Sequence, residues 1–91
     1  MDVEVKKEHI QRGDVYCMEC PIALALSDKP GVRGAKVMSN GNTVLKKHGE
    51  FCRMEWEDPE GVVDWIQRFD KGEDVTPKMF EGEVNVKRGE E

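Results

Sequence analysis

Cys20-Pro21-Ile22-Ala23-Leu24-Ala25-Leu26 is the stretch from which the fold of this chain is read. It contains the only run of five consecutive apolar residues, Ile22 to Leu26. The run opens at a proline, which is tolerated at the first helical position because its missing N–H has no partner there. The pattern predicts a short helix from Pro21 to about Asp28. It is apolar almost all round, so it should be buried on several sides, with Leu24 in the core. Lys29-Pro30-Gly31 ends it.

Upstream, Val3 and Val5 alternate with charged residues, which predicts a short half-buried strand. Lys7 to Arg12 reads as a helical turn stopped by Gly13, and Asp14 to Glu19 as a loop. Downstream, Ala35-Lys36-Val37-Met38 and Thr43-Val44-Leu45-Lys46 flank Asn40-Gly41, a strong hairpin signal because both residues tolerate positive φ. From Phe51 to Glu57 the residues alternate. Cys52, Met54 and Trp56 should face inward, and Arg53, Glu55 and Glu57 outward. Asp58-Pro59-Glu60 is a helix start with an acceptor at the cap. Val62, Trp65, Ile66 and Phe69 then recur at helical spacing, and Gly72 stands at the left-handed cap position. A last strand covers about Met79 to Val86, with Phe80, Val84 and Val86 inward and Glu81, Glu83, Asn85 and Lys87 outward. The order predicts an α+β fold: a mainly antiparallel sheet of four to five strands with two main helices packed on one face.

Ninety-one residues suit one domain, residues 1–91, with a frayed tail at 88–91. Charge is unevenly spread: residues 1–54 carry nine basic and seven acidic side chains, residues 55–91 five and twelve. That balance argues against a basic nucleic-acid footprint; the acidic third would attract a basic protein partner, but its simpler role is to keep a small domain soluble and monomeric. Residues 1–12 are too polar for a secretory leader, and no run approaches the length of a membrane span. An odd count of three cysteines fits reduced thiols in a cytoplasmic setting.

Several segments together resemble a family of small uncharacterised proteins encoded by bacteriophages and by bacterial, chiefly actinobacterial, genomes. They are Glu8-His9-Ile10 with Arg12-Gly13, the Cys20 to Leu26 run, Phe69-Asp70 with Gly72, and Pro77 with Phe80. The resemblance implies a phage or prophage accessory protein, acting in the host cytoplasm. It implies no activity, cofactor or catalytic residue.

The cysteines admit three further chemistries. Cys17-x-x-Cys20 with His48-x-x-x-Cys52 offers three sulfurs and an imidazole to a structural zinc ion. Against that, Cys52 falls on the inward face of its strand, where a free thiol is a small hydrophobe. Cys-x-x-Cys beside a helix start also suggests thiol–disulfide exchange, but Pro21 starts the helix after the second cysteine and leaves Cys17 in the loop. Cys20 with His9 or His48 as base would make a nucleophile, although both histidines read as exposed polar residues. The favoured expectation is a non-enzymatic module without a cofactor that binds a protein partner, as a monomer or weak homodimer. Its candidate contacts are Glu55, Glu57, Asp58, Glu60 and Asp64. The same carboxylates would also serve an acidic DNA mimic.

Overall fold

The computed structural model describes residues 1–47 and 49–86, so His48, Lys87 and the tail expected to fray lie outside the described residues. The elements are β1 (Asp2–Val5), α1 (Lys7–Arg12), α2 (Pro21–Ser27), β2 (Val32–Val37), β3 (Thr43–Lys47), β4 (Glu50–Trp56), α3 (Pro59–Asp70) and β5 (Lys78–Val86). Every strand pairing is antiparallel, and the five strands lie in the order β1-β5-β4-β3-β2. The α+β class and the element order read from the sequence hold.

The predicted short helix is present, and its surroundings explain its composition. Pro21 is its first residue, and the Cys20 sulfur accepts the Ala23 N–H at 3.4 Å. The helix packs against both β1 and β2, the two edges of the sheet, and against α1. One short helix can touch both edges only if the sheet coils around it, so α2 closes the open side of a partial barrel. Ile22, Ala23, Ala25 and Leu26 are buried there. Leu24, expected in the core, is only half-buried, because it falls on the one side of α2 that the strands leave uncovered.

The hairpin between β2 and β3 forms, but its turn differs from the expected one. The Gly41 N–H bonds the Met38 carbonyl at 2.9 Å, so the turn spans Met38 to Gly41, with Gly41 as its left-handed last residue at φ 92°. The Met38 N–H then bonds the Asn42 carbonyl and restores the ladder. At the other end of this hairpin, Arg33 bulges out between Val32 and Gly34.

In β4 the alternation is as read: Cys52, Met54 and Trp56 are buried and their neighbours exposed. Trp56 donates its indole N–H to the Thr43 hydroxyl at 2.9 Å, and that hydroxyl donates to the Gly41 carbonyl at 3.0 Å. This relay fixes the hairpin turn to β4. Trp56 and Trp65 each meet Phe80 edge-on, at 6.0 and 5.9 Å between ring centroids. Opposite Trp56 on β5 stands Gly82. A Cβ there would lie 2.7 Å from the Glu55 carbonyl oxygen, so a side chain at this position would push β5 off β4. Asp58 caps α3 by accepting the Gly61 N–H at 3.1 Å. Gly72, at φ 79°, follows the helix as expected.

Candidate functional site

Two regions have properties beyond those of a packed core: the loop between α1 and α2, and the outer face of the sheet. The loop is short, polar at both ends and apolar between: Asp14-Val15-Tyr16-Cys17-Met18-Glu19. The Asp14 N–H bonds the Glu19 carbonyl at 2.8 Å and the Glu19 N–H bonds the Tyr16 carbonyl at 2.9 Å. The Asp14 carboxylate accepts the Val15 N–H at 2.7 Å. The Val37 N–H, on the free edge of β2, bonds the Cys17 carbonyl at 2.8 Å. These bonds hold the loop in one shape, yet Val15, Tyr16 and Met18 are 53%, 64% and 63% exposed. Sequence reading singled out only Cys17 in this segment and passed over its three apolar neighbours. The signal that marks it was present, because three large apolar side chains in six loop residues are unusual where burial is not available.

Behind the loop is a cleft of about 220 Å³, lined by Val15, Cys17, Cys20, Val37, Met38, Ile66 and Asp70 among others. Cys17 is half-buried and Cys20 buried. Burial pushes the Cys20 thiol up from its ordinary range, outweighing the N–H groups of Ala23 and Ile22, which lower it. Cys20 is therefore a protonated cap residue near neutral pH, the opposite of an activated nucleophile. Cys52 lies in the core on β4, opposite Leu45 on β3. Cys17, Cys20 and Cys52 do not converge: among the described residues no three His, Cys, Asp or Glu side chains gather in a way that could hold a metal ion. His48, the fourth ligand of the zinc set considered above, lies outside the described residues. A labelling experiment follows directly. Near neutral pH an alkylating agent modifies Cys17 first, and Cys20 and Cys52 react only as fast as the chain unfolds. Peptide mapping over time distinguishes this from a fast Cys20.

His9 corrects the expectation of exposed histidines. It is buried, with Nδ1 accepting the Lys6 N–H at 2.9 Å. The remaining proton therefore sits on Nε2, which donates to Asp28 Oδ2 at 2.7 Å. The imidazole thus joins the start of α1 to the end of α2. Both ring nitrogens are occupied, so His9 has no free lone pair with which to serve Cys20 as a base.

The acidic candidates divide into two groups. Asp58 is used as the α3 cap, and Asp64 pairs with Arg68 at 3.1 Å on the exposed side of the same helix, where Glu60 is also exposed. Glu55 and Glu57 belong instead with Asp2, Glu81 and Glu83 around a shallow depression. Strand register forces like charges together there: Asp2 stands opposite Glu81, and Glu55 opposite Glu83. Directly opposed like charges destabilise a sheet. The Glu81 carboxyl is raised above its usual range, chiefly by hydrogen bonding to Glu57 and then by the charges of Glu57 and Asp2.

An acid whose folded pKa is raised holds its proton more tightly when folded. Its contribution to stability is present below the unfolded value and is lost as pH rises through the folded value. Mild acidification from neutrality should therefore raise the thermal midpoint before general acid unfolding sets in. Glu81→Gln should raise the midpoint at neutral pH and flatten that rise. Melting curves across the carboxylate range test both outcomes. An unchanged midpoint in Glu81→Gln would mean that the repulsion is fully screened by solvent.

No helix among the described residues is long and apolar enough to cross a membrane. Comparison with protein-family models, with curated proteins and with solved structures finds no match.

Proposed function

We propose that this chain is a non-enzymatic binding module acting through protein–protein contact. The observation that carries the reading is the hydrogen-bonded Asp14–Glu19 loop, which holds Val15, Tyr16 and Met18 out in solvent. Val and Tyr have few rotatable side-chain bonds and so lose little conformational entropy on docking, Met adapts its shape to a partner, and Tyr and Met are enriched at contact surfaces. Asp14 and Glu19 flank them, so the fitting partner presents an apolar pocket with a basic rim. The raised Cys20 thiol and the fully bonded His9 lend no support to a catalytic reading. On the resemblance read from the His9 and Cys20 segments, its role is that of a phage accessory protein in a host cytoplasm.

The test compares the wild-type chain with a Tyr16→Ser/Met18→Ser variant, each immobilised and exposed to lysate from a bacterial host. Both side chains are exposed, so the variant should keep its melting midpoint. A protein retained by the wild type and lost by the variant supports the reading. Identical retention by both, or nothing above background, sinks it.

A further inference from the structure

Among the described residues the helices leave one face of the sheet uncovered, and that face is divided by charge. In register across it, the end formed by β1, β5 and the last residues of β4 presents Asp2, Glu4, Glu81, Glu83 and Glu55. The end formed by β2, β3 and the first residues of β4 presents Lys36, Lys46 and Arg53. Each end also carries an exposed apolar anchor, and Val44 stands between Lys36 and Arg53 at the basic end. Met79 stands opposite Glu4 at the acidic end, and Phe51, 62% exposed, lies opposite Lys46 at the basic end. The Lys46 ammonium is 6.0 Å from the Phe51 ring. Its parity in β4, opposite to that of Cys52, Met54 and Trp56, puts Phe51 on the outer face.

A face that is acidic at one end and basic at the other is complementary to itself. A two-fold axis lying in the plane of contact, across the acid-to-base direction, sets the acidic end of each copy against the basic end of the other. Both contacts are then the same contact, as an isologous dimer requires. Association also relieves a cost already present in the single chain, since the cations of one copy enter the field of the opposed Glu55–Glu83 and Asp2–Glu81 pairs of the other.

We infer that the uncovered face of the sheet is a self-docking surface and that its occupant is a second copy of this chain, held by acid-to-base pairing with Phe51 and Met79 as apolar anchors. The sheet coils toward α2, so this face is convex: direct contact falls to β5, β4 and β3, while Asp2, Glu4 and Lys36 on the edge strands act through their field. That limits the buried surface to roughly 1,000 Å² or less, the range of weak and transient complexes. The dimer is consequently weak and sensitive to salt. The inference is independent of the Tyr16 loop.

The experiment is sedimentation velocity of the whole chain over a range of concentrations. The wild type should show a reversible monomer–dimer equilibrium. Raising salt from about 0.05 M to about 1 M shortens the screening length to about 3 Å and should weaken association about tenfold or more. Two exposed charge reversals are then made separately, Lys46→Glu/Arg53→Glu and Glu81→Lys/Glu83→Lys. Each alone should be monomeric with native circular dichroism. An equimolar mixture at low salt should recover a dimer containing one copy of each, because the reversed ends now complement one another.

A wild type that stays monomeric at every concentration overturns the inference. So does a dimer indifferent to salt and to both reversals, which would point to strand-edge pairing. A dimer abolished only by Tyr16→Ser/Met18→Ser would transfer the contact to the loop and overturn it equally. Failure of the mixture to re-associate, with both variants folded, rejects the acid-to-base geometry.

Discussion

Leu26→Ala should lower the free energy of unfolding by about 3–5 kcal/mol, near the top of the range for leucine truncation in a core. Leu26 has no exposed surface, and it sits on the helix that packs against both edges of the coiled sheet. Truncation here does more than remove methyl groups. The cavity would lie where β1, β2 and α2 meet, and the strands cannot collapse into it without uncoiling a sheet whose register is fixed by four ladders. Leu24→Ala, two residues earlier on the half-buried side of the helix, should cost less than half as much. Denaturant titrations of the two variants give the comparison. Equal costs would show that α2 does not close the barrel. Since domains are stable by only about 5–15 kcal/mol, Leu26→Ala should remove a large share of the total.

Trp56→Ala is the second large effect, about 3–5 kcal/mol. The indole is buried, packs edge-on against Phe80, and supplies the donor that orients the Thr43 hydroxyl. A companion variant separates the contributions. Thr43→Val keeps the shape but leaves the Trp56 N–H buried without a partner, a cost of about 1–3 kcal/mol. It also frees the Gly41 carbonyl that the hydroxyl now serves. In a Trp56→Phe background there is no indole donor to orphan, so the cost of Thr43→Val should shrink. A double-mutant cycle by equilibrium unfolding reads that coupling directly. Additive costs would mean that the relay from β4 to the hairpin turn contributes nothing beyond packing.

Both effects concern residues legible in the sequence, although their partners were not. The Ile22 to Leu26 run and the Cys52–Met54–Trp56 alternation announce burial, because hydrophobic period is a local property of the chain. The Asp58-Pro59 helix start and Gly72 were legible for the same reason, since caps are satisfied by groups a few residues away. Asn40-Gly41 marked the hairpin but not its turn, because hydrogen bonding by Met38 moves the glycine to the last turn position.

The candidate sites were less legible. Glu55 and Glu57 were singled out from local charge density, but the carboxylates that crowd them, Asp2, Glu81 and Glu83, come from the two ends of the chain and meet only through strand register. His9 read as an exposed residue because its acceptor, Asp28, is nineteen positions away in sequence and reaches it only when α1 packs on α2. The Cys17, Cys20 and Cys52 spacing suggested a shared site, but strand pairing sets Cys52 opposite Leu45, and the three thiols form no ligand group among the described residues. Phe51 showed no local sign of its exposure other than its parity in β4.

The amino-acid sequence alone determined the order of helices and strands, the inward face of β4 and where each helix begins, because those depend on side chains within one or two turns of one another. Tertiary structure alone decided that the sheet coils until one short helix spans its two edges, and that its bare face is acidic at one end and basic at the other. The reason is physical: strand order and coil follow from pairings between residues up to about eighty positions apart, as between Asp2 and Glu81. No local preference encodes such a pairing.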